Sequence, residues 1–522
     1  MRPTLILLAA TASANAADHT RPAAFAPAGA AEYSSAVMQK FACGDGSPHI
    51  FLSWSPVNLA TGPASCATDS CPAQSVPLPV LDKPNIVRAT FTDNLTASLH
   101  DGSFVTVGLS SICTTGKPPD FSCPGDLKGP FTAQQGCNTG EYLSERTLSI
   151  RVSADCGKTW TERSMAAHDI DAIAGLKGHK FIDRPELFID PNTGDAYLSM
   201  RLAETIRYPC DGYGDNRVVV LRAGKPVGNV LEWRHFATFN TSAPVTPTSS
   251  IASGPSMHEC VNGVPTVYFS QPVPLPMFAV ALNVGDFTDA QYRCGTASVP
   301  FRNGIPTASL APSHVPNSLR VLYSGIESHG YQVLHLFDVT ADGPLGFLIE
   351  SLGGAKPLTI DESGSKRHAM FGQLISTDPI GGDAATDHTM LLRWSSVGED
   401  DVVEKYEVLN ADGDHSDSGT LATWSIPKSI CTKSKACWIG DYHYGTVVDR
   451  TTRDGKVTLR FLAPWTQIDS RGALQAYASI VTVTHAEKVP SVQRRKLQKL
   501  PAIQPVASTQ VVREEQLLHQ EQ

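Results

Sequence analysis

The chain has 522 residues, 42 Lys and Arg against 51 Asp and Glu, and a net charge of -9 with a sequence pI near 6.0, so it lacks the basic footprint that nucleic-acid binding needs. That length holds two or three average domains or one large repetitive architecture. Twelve cysteines, an even count, point to an oxidising compartment with disulfides rather than free thiols.

At the start, Met1-Arg2-Pro3-Thr4, the apolar run Leu5 to Ala10 and the small residues of Ala14-Asn15-Ala16 read as a secretory signal peptide ending at residue 16 or 17. The organisation predicted from composition is a signal peptide over 1–17, an N-terminal extension over 18–40, a β domain over 41–484 and a disordered, Gln- and Glu-rich tail over 485–522. No other stretch reaches the ~18 apolar residues that span a bilayer. The expectation is a secreted or periplasmic monomer with no integral membrane segment.

The rest reads as short alternating or apolar runs between Gly, Pro, Asn and Asp clusters, with no long amphipathic helix. A loose strand-turn-strand unit recurs. Asp82-Lys83-Pro84 and Asp183-Arg184-Pro185 each open a strand, the second continuing to Ala196-Tyr197-Leu198-Ser199-Met200. Gly254-Pro255-Ser256-Met257-His258, Pro316-Asn317-Ser318, Arg367-His368-Ala369 and Gly440-Asp441-Tyr442-His443-Tyr444-Gly445 open four more, the last passing through a turn at Asp454-Gly455. Six recurrences predict an all-β fold, a six-bladed β-propeller of four-stranded antiparallel blades, against a two-domain β-sandwich. The segment Pro48 to Trp54 is the candidate for the strand that closes the ring with the last blade. Stretches 61–79 and 113–139 read as long loops pinned by disulfides, and Cys66 with Cys71, Cys113 with Cys123, and Cys431 with Cys437 are the close pairs.

One octet stands out. Ser153-Ala154-Asp155-Cys156-Gly157-Lys158-Thr159-Trp160 follows an alternating strand, so it lies at a hairpin tip, where Asp155 accepts amides of its own turn, Gly157 takes positive φ and Trp160 anchors the turn on the blade beneath. Cys156 is expected to pair with a neighbouring loop. The octet fits the pattern Ser-x-Asp-x-Gly-x-Thr-Trp, the Asp-box or BNR repeat. With the Asp-base-Pro strand starts and Gly440-Asp441-Tyr442, it resembles the sialidase-like superfamily of secreted propellers over about Asp82 to Val483.

That resemblance implies an exo-glycoside hydrolase with its site on the propeller axis. Hydrolases of the superfamily hold a sialic acid carboxylate with three arginines and use a Tyr made nucleophilic by a neighbouring Glu, with an Asp as acid and base. A guanidinium fork suits a carboxylate, and an anionic sugar repels a carboxylate nucleophile. Strand starts facing the axis here carry Asp82, Lys83, Asp183, Arg184, His258, Arg367, His368, Asp441, Tyr442 and His443. The catalytic candidates are Asp183 or Asp82 as acid and base and Tyr442 or Tyr444 as nucleophile. The substrate-binding candidates are Arg184 and Arg367 with Lys83, His368, Asp441 and His443. Lys83 stands where the superfamily places an arginine, and further Asp-boxes are absent or degraded. The plain alternatives are amide capping for an Asp beside Pro and packing for a strand Tyr or His.

Two other functions fit the same strand starts. One is a propeller that binds glycan or protein without catalysis. The other is a polysaccharide lyase in which His258, His368 or His443 works with Tyr442 beside a uronic carboxylate. The partner expected is a glycan or glycoconjugate, or a protein for the non-catalytic propeller, with no cofactor and no metal. Asn410 to Asp417 resembles a calcium loop, but Gly413 falls at its fourth position and Leu421 replaces the twelfth-position Glu, so a hairpin turn is expected. No Gly-x-Ser-x-Gly, His-Glu-x-x-His or phosphate-binding glycine loop occurs.

Overall fold

The computed structural model of the protein describes residues 16–24, 33–38, 49–54, 58–63, 87–99, 101–115, 141–155, 157, 159–189, 193–203, 216–240, 309–312, 318–326, 331–340, 358–376, 389–410, 415–431, 437, 439 and 443–486. These residues are mostly β. In chain order come β1 (Ala16–His19), β2 (Ala23–Ala24), β3 (Tyr33–Met38), β4 (His49–Trp54), β5 (Asn58–Pro63), β6 (Val87–Ser98), β7 (Phe104–Thr115), β8 (Glu141–Ser153) and β9 (Thr161–Ala166). A short helix, α1 (Ala167–Ala174), precedes β10 (Phe181–Ile189), β11 (Ala196–Ala203), β12 (Asn216–Ala223) and β13 (Arg234–Asn240). Then follow β14 (Ser309–Pro312), β15 (Ser318–Ile326), β16 (Gln332–Thr340), β17 (Leu358–Ile360), β18 (His368–Ser376), β19 (Met390–Val397), β20 (Asp401–Leu409) and β21 (His415–Ser425). The last are β22 (His443–Tyr444), β23 (Thr446–Arg453), β24 (Lys456–Ile468) and β25 (Leu474–Ala486).

These strands form six sheets. Sheet I has the order β22-β3-β4-β5, sheet II β6 to β9, sheet III β10 to β13, sheet IV β14 to β17, sheet V β18 to β21, and sheet VI β23-β24-β25-β1 with β2 also on β25. All neighbours pair antiparallel except β22 with β3, which is parallel. Local chemistry sets much of this pairing. Between β23 and β24, Arg453 faces Lys456, leaving the two-residue loop Asp454-Gly455 with φ of 53° and 70°, the left-handed pair that matches strand twist.

In sheet V burial falls from the second strand outward: β19 is buried at every position, β20 alternates, and β21 is buried only at Leu421 and Trp424. A strand buried on both faces must be covered on both faces, and the apolar clusters show by what. One cluster joins sheets II and III through Val107, Ile150, Leu198, Val219 and Ile170 of α1. Another joins IV and V through Leu322, Leu334, Leu374 and Leu392, and a third joins V and VI through Leu391, Val408, Phe461 and Val481. At the first strands, β23 lies against β3, β3 against β6, and β6 against β10. The packing therefore runs IV, V, VI, I, II, III.

Two expectations change. Pro48 to Trp54 does not complete the last sheet: β4 pairs with its chain neighbours β3 and β5, joined by short connections that are entropically cheap, and β1 is the added strand of sheet VI. Ser318–Ile326 is the second strand of its sheet, because the four-residue β14, ending in a proline and lacking alternation, comes first. Segment 18–40 contains β2, β3 and part of β1, and β25 runs to Ala486. The disulfide Cys431–Cys437 is formed, with its Cα atoms 5.1 Å apart. Cys66, Cys71, Cys123 and Cys156 and the tail beyond 486 lie outside the described residues.

Candidate active site

The site begins with a register slip in β10. Pro185 has no N–H to give to the ladder, and the pairing with β11 shifts around it: Asp183 stands opposite Arg201, and Glu186 opposite Ser199. Residues three apart face opposite sides of a regular strand. The bulge returns Asp183 and Glu186 to one side, the side that carries Ser199 and Arg201. Glu186, Ser199 and Arg201 are buried and Asp183 is half-buried, so two carboxylates, a hydroxyl and a guanidinium share one shielded face of sheet III.

A tyrosine reaches this face from the far end of the chain. The Tyr444 hydroxyl donates to Glu186 Oε1 at 3.0 Å, across a sequence separation of 258 residues. The placement of Tyr444 depends on Gly445, whose missing Cβ lets the chain pass against the carbonyl of Leu462, Pro464 and Ile375. The half-buried Tyr444 packs on the cluster shared by sheets II and III. Beside it, His443 is buried, with Nε2 3.1 Å from the Ile439 carbonyl and 3.3 Å from Thr466 Oγ1. A carbonyl only accepts, so Nε2 carries the proton. The ring of Phe371 lies 5.5 Å from that of His443.

A second bulge makes an informative contrast. In β18 the register slips between Met370 and Gln373, with Phe371 at φ 52° and Gly372 closely covered by Leu322 and Leu334, so that Met370 faces Ser395 and Gln373 faces Arg393. Arg393, fully buried, donates to Glu404 Oε2 at 2.6 Å, to Ser395 Oγ at 3.1 Å and to the Phe371 carbonyl at 3.1 Å. Glu404 also accepts from Trp424 Nε1 at 3.0 Å and from Ser395 Oγ at 2.7 Å. The charge there is closed on itself, between the second and third strands. Sheet II has a similar pair, Arg151 with Glu162 at 3.2 Å, between its third and fourth strands. In sheet III the residue across from Arg201 on the third strand is Val218, and the carboxylates stand on the first strand instead.

The predicted residues divide accordingly. Asp183 and Tyr444 come together around Glu186. Arg184 lies on the bulged segment of β10, and its side chain lies outside the described residues, as do Asp82, Lys83, His258, Asp441 and Tyr442. Arg367 is taken up within sheet V: Nε donates to Ser396 Oγ at 2.8 Å, Nη1 to Asp401 Oδ1 at 2.7 Å, and Nη2 to the Ser396 carbonyl at 2.7 Å. That fork clamps the β19–β20 hairpin. His368 Nδ1 accepts from the Gln332 amide at 3.1 Å and its ring lies 4.8 Å from that of Tyr331, a structural tie to sheet IV. Among the described residues no group of three His, Cys, Asp or Glu side chains could hold a metal ion.

The octet turn joins β8 to β9. Asp155 accepts from the Thr159 amide at 2.8 Å, the Thr159 hydroxyl at 2.6 Å and the Ser153 hydroxyl at 2.9 Å, and Ser153 Oγ accepts from the Gly157 amide at 2.8 Å. Burial pushes the Asp155 pKa up, but these bonds outweigh it and hold the carboxyl below its ordinary value. Gly157 has φ 77°, and Trp160 Nε1 donates to its carbonyl at 3.0 Å, so the indole fastens its own turn.

Sequence reasoning missed Glu186 and the buried arginines Arg201, Arg320 and Arg393. One signal was present: each arginine is the single charged residue of its strand, where a charge is retained only with a partner or a task.

No family model matches the chain, and no curated protein matches it in sequence. Among solved structures, similar ones include the GH93 α-L-arabinofuranosidase of Fusarium graminearum in complex with arabinobiose, at 12% identity over 89% of this chain and 97% of that one, with a TM-score of 0.37. The Hadza microbial sialidase Hz136 is 8% identical over 83% of this chain and 73% of its own, with a TM-score of 0.26. The Bombyx mori GH32 β-fructofuranosidase BmSUC1 is 8% identical over 88% and 94%, with a TM-score of 0.30. Such likenesses set neither the number of blades nor an activity.

Proposed function

We propose that the protein is an exported six-bladed β-propeller that hydrolyses a terminal glycosidic bond of an anionic sugar at the face shared by Asp183, Glu186, Arg201 and Tyr444. The observation that carries this reading is the 3.0 Å hydrogen bond from the Tyr444 hydroxyl to Glu186. Six sheets packed in the run IV, V, VI, I, II, III, with β1 added to the last, support the propeller. The Ser153 to Trp160 turn supports the Asp-box resemblance, from which the sialidase-like chemistry is carried over.

In this mechanism Glu186 takes the phenolic proton as the Tyr444 oxygen bonds to the anomeric carbon, and Asp183 gives a proton to the departing oxygen as the glycosidic bond breaks. Water then attacks the glycosyl-tyrosine, Asp183 takes its proton, and the phenol recovers its own from Glu186. A neutral phenol meets an anionic sugar without the repulsion that a carboxylate nucleophile would suffer, and Arg201 holds the sugar carboxylate. The reaction requires no cofactor.

A second reading has one observation in its favour. The ring of Tyr444 packs on an apolar cluster, as it would if the bond to Glu186 only braced the sheets of a glycan-binding propeller. Release of fluorophore from a fluorogenic sialoside, run beside neutral aryl glycosides and uronic-acid polymers, separates the two. Turnover abolished by Arg201→Met supports the hydrolase; no turnover on any substrate favours binding.

A further inference from the structure

The N-terminal strand presents a backbone nitrogen to a carboxylate of another sheet. β1 pairs with β25 along one edge, Ala17 opposite Val483 and His19 opposite Val481. The amide of Ala17 points to the other edge, where it lies 2.7 Å from Asp417 Oδ2 on β21, the outermost strand of sheet V. Asp417 is half-buried, and its Oδ1 accepts from the Ser418 amide at 2.7 Å. The ring of His19 meets that of Tyr406 edge-on at 5.8 Å, and the Thr20 amide donates to the Ile480 carbonyl at 3.0 Å. Asp417 and Asp18 both lie near enough to Tyr406 to add to the upward shift that burial gives its phenol.

This carboxylate is placed one residue beyond a cleavage signal. Small residues at 14 and 16 direct signal peptidase to the bond between Ala16 and Ala17, so the nitrogen beside Asp417 is the one that cleavage would turn from an amide into an α-ammonium. An amide gives Asp417 a single neutral donor. An ammonium, charged below its ordinary pKa of about 7.7–8.0, gives a charge-assisted bond roughly twice as strong. Cleavage removes Ala16 and its pairing with Thr484 and leaves β1 as Ala17 to His19 at a chain end, where strands fray, so a charge at its first residue acts where the strand is weakest.

We propose that signal-peptide removal after Ala16 creates an α-ammonium at Ala17 that pairs with Asp417 and latches β1 between sheets VI and V, so that maturation itself completes the folded edge. Of the described residues of β1, Ala17 is the one whose nitrogen lies at Asp417, so cleavage after Ala17 would not place the new terminus there.

Expression of the full chain in an exporting host, followed by N-terminal sequencing, should return Ala17. A chain carrying a non-cleavable extension before Ala17 provides the uncut state, and Asp417→Asn is made in both backgrounds. In the mature chain the substitution should lower Tm by about 1–2 °C and speed release of Ala17 by an aminopeptidase about two- to fivefold, as expected for a part-exposed pair in a large domain. In the extended chain the Tm shift should be less than half as large. Equal Tm shifts in both backgrounds, an unchanged aminopeptidase rate or a mature N-terminus at another residue would each overturn the proposal.

Discussion

Replacing Tyr444 with phenylalanine removes one oxygen and leaves the ring. The packing on the cluster of sheets II and III is retained, and the loss is the 3.0 Å bond to Glu186. A hydrogen bond to a charged group contributes about 1.5–3 kcal/mol, so the variant should lose at most about 3 kcal/mol of stability and keep its fold. Its catalytic cost is of another size. With no oxygen to attack the anomeric carbon, the double-displacement route is closed, and a fall in kcat of about a thousandfold or more is expected, about 4 kcal/mol of barrier. The assay pairs urea unfolding with initial rates on whichever sialoside or aryl glycoside the wild-type protein turns over. Glu186→Gln should follow the same pattern with a smaller loss, because the nucleophile remains and only its base is gone. A Tyr444→Phe protein with kcat within tenfold of wild type would refute the nucleophile assignment, however much stability it had lost.

Three further outcomes test the architecture around the site. Arg393→Met should destabilise by about 3–5 kcal/mol because it strands the buried Glu404, whereas adding Glu404→Leu should recover part of that loss; a double variant at least as unstable as the sum of the singles would show that the pair is not the unit. Gly445→Ala would press a Cβ onto the carbonyl of Leu462, which cannot yield as a flexible side chain does, so both activity and Tm should fall, and unchanged kinetics would mean that Gly445 does not position Tyr444. Glu362 sets a pH dependence. Burial raises its pKa, but bonds from Ser396, Trp394 and Lys405 and the Lys405 charge outweigh burial and bring it below the ordinary value. A depressed folded pKa stabilises above the unfolded value of about 4.3, and that support is lost as pH falls through the folded value. Glu362→Gln should therefore weaken the fold at pH 6 and flatten its acid limb below about pH 4.5, which denaturation midpoints across pH would detect; an acid limb of unchanged slope would remove Glu362 from the account.

What could be read from the sequence was whatever a few neighbouring residues decide among themselves. Asp454-Gly455 takes the left-handed turn of a hairpin wherever that hairpin sits, Asp155 satisfies amides within four residues of itself, and Cys431 lies six residues from its disulfide partner. The alternation of β20 marks that strand as half-covered, whereas β19 is buried throughout although Arg393, Ser395 and Ser396 interrupt its apolar residues. Arg367 and His368 were rightly placed at the start of a strand, but residue type alone could not show that the Arg367 fork is spent on Ser396 and Asp401. The site itself came from tertiary structure. Asp183 and Glu186 share a face only because the β10–β11 register slips at Pro185, and Glu186 gains its partner from a tyrosine 258 residues away. Short-range hydrogen bonds carry their own geometry in the sequence, whereas a register shift and a contact between distant strands depend on how the whole set of sheets packs, which no local window contains.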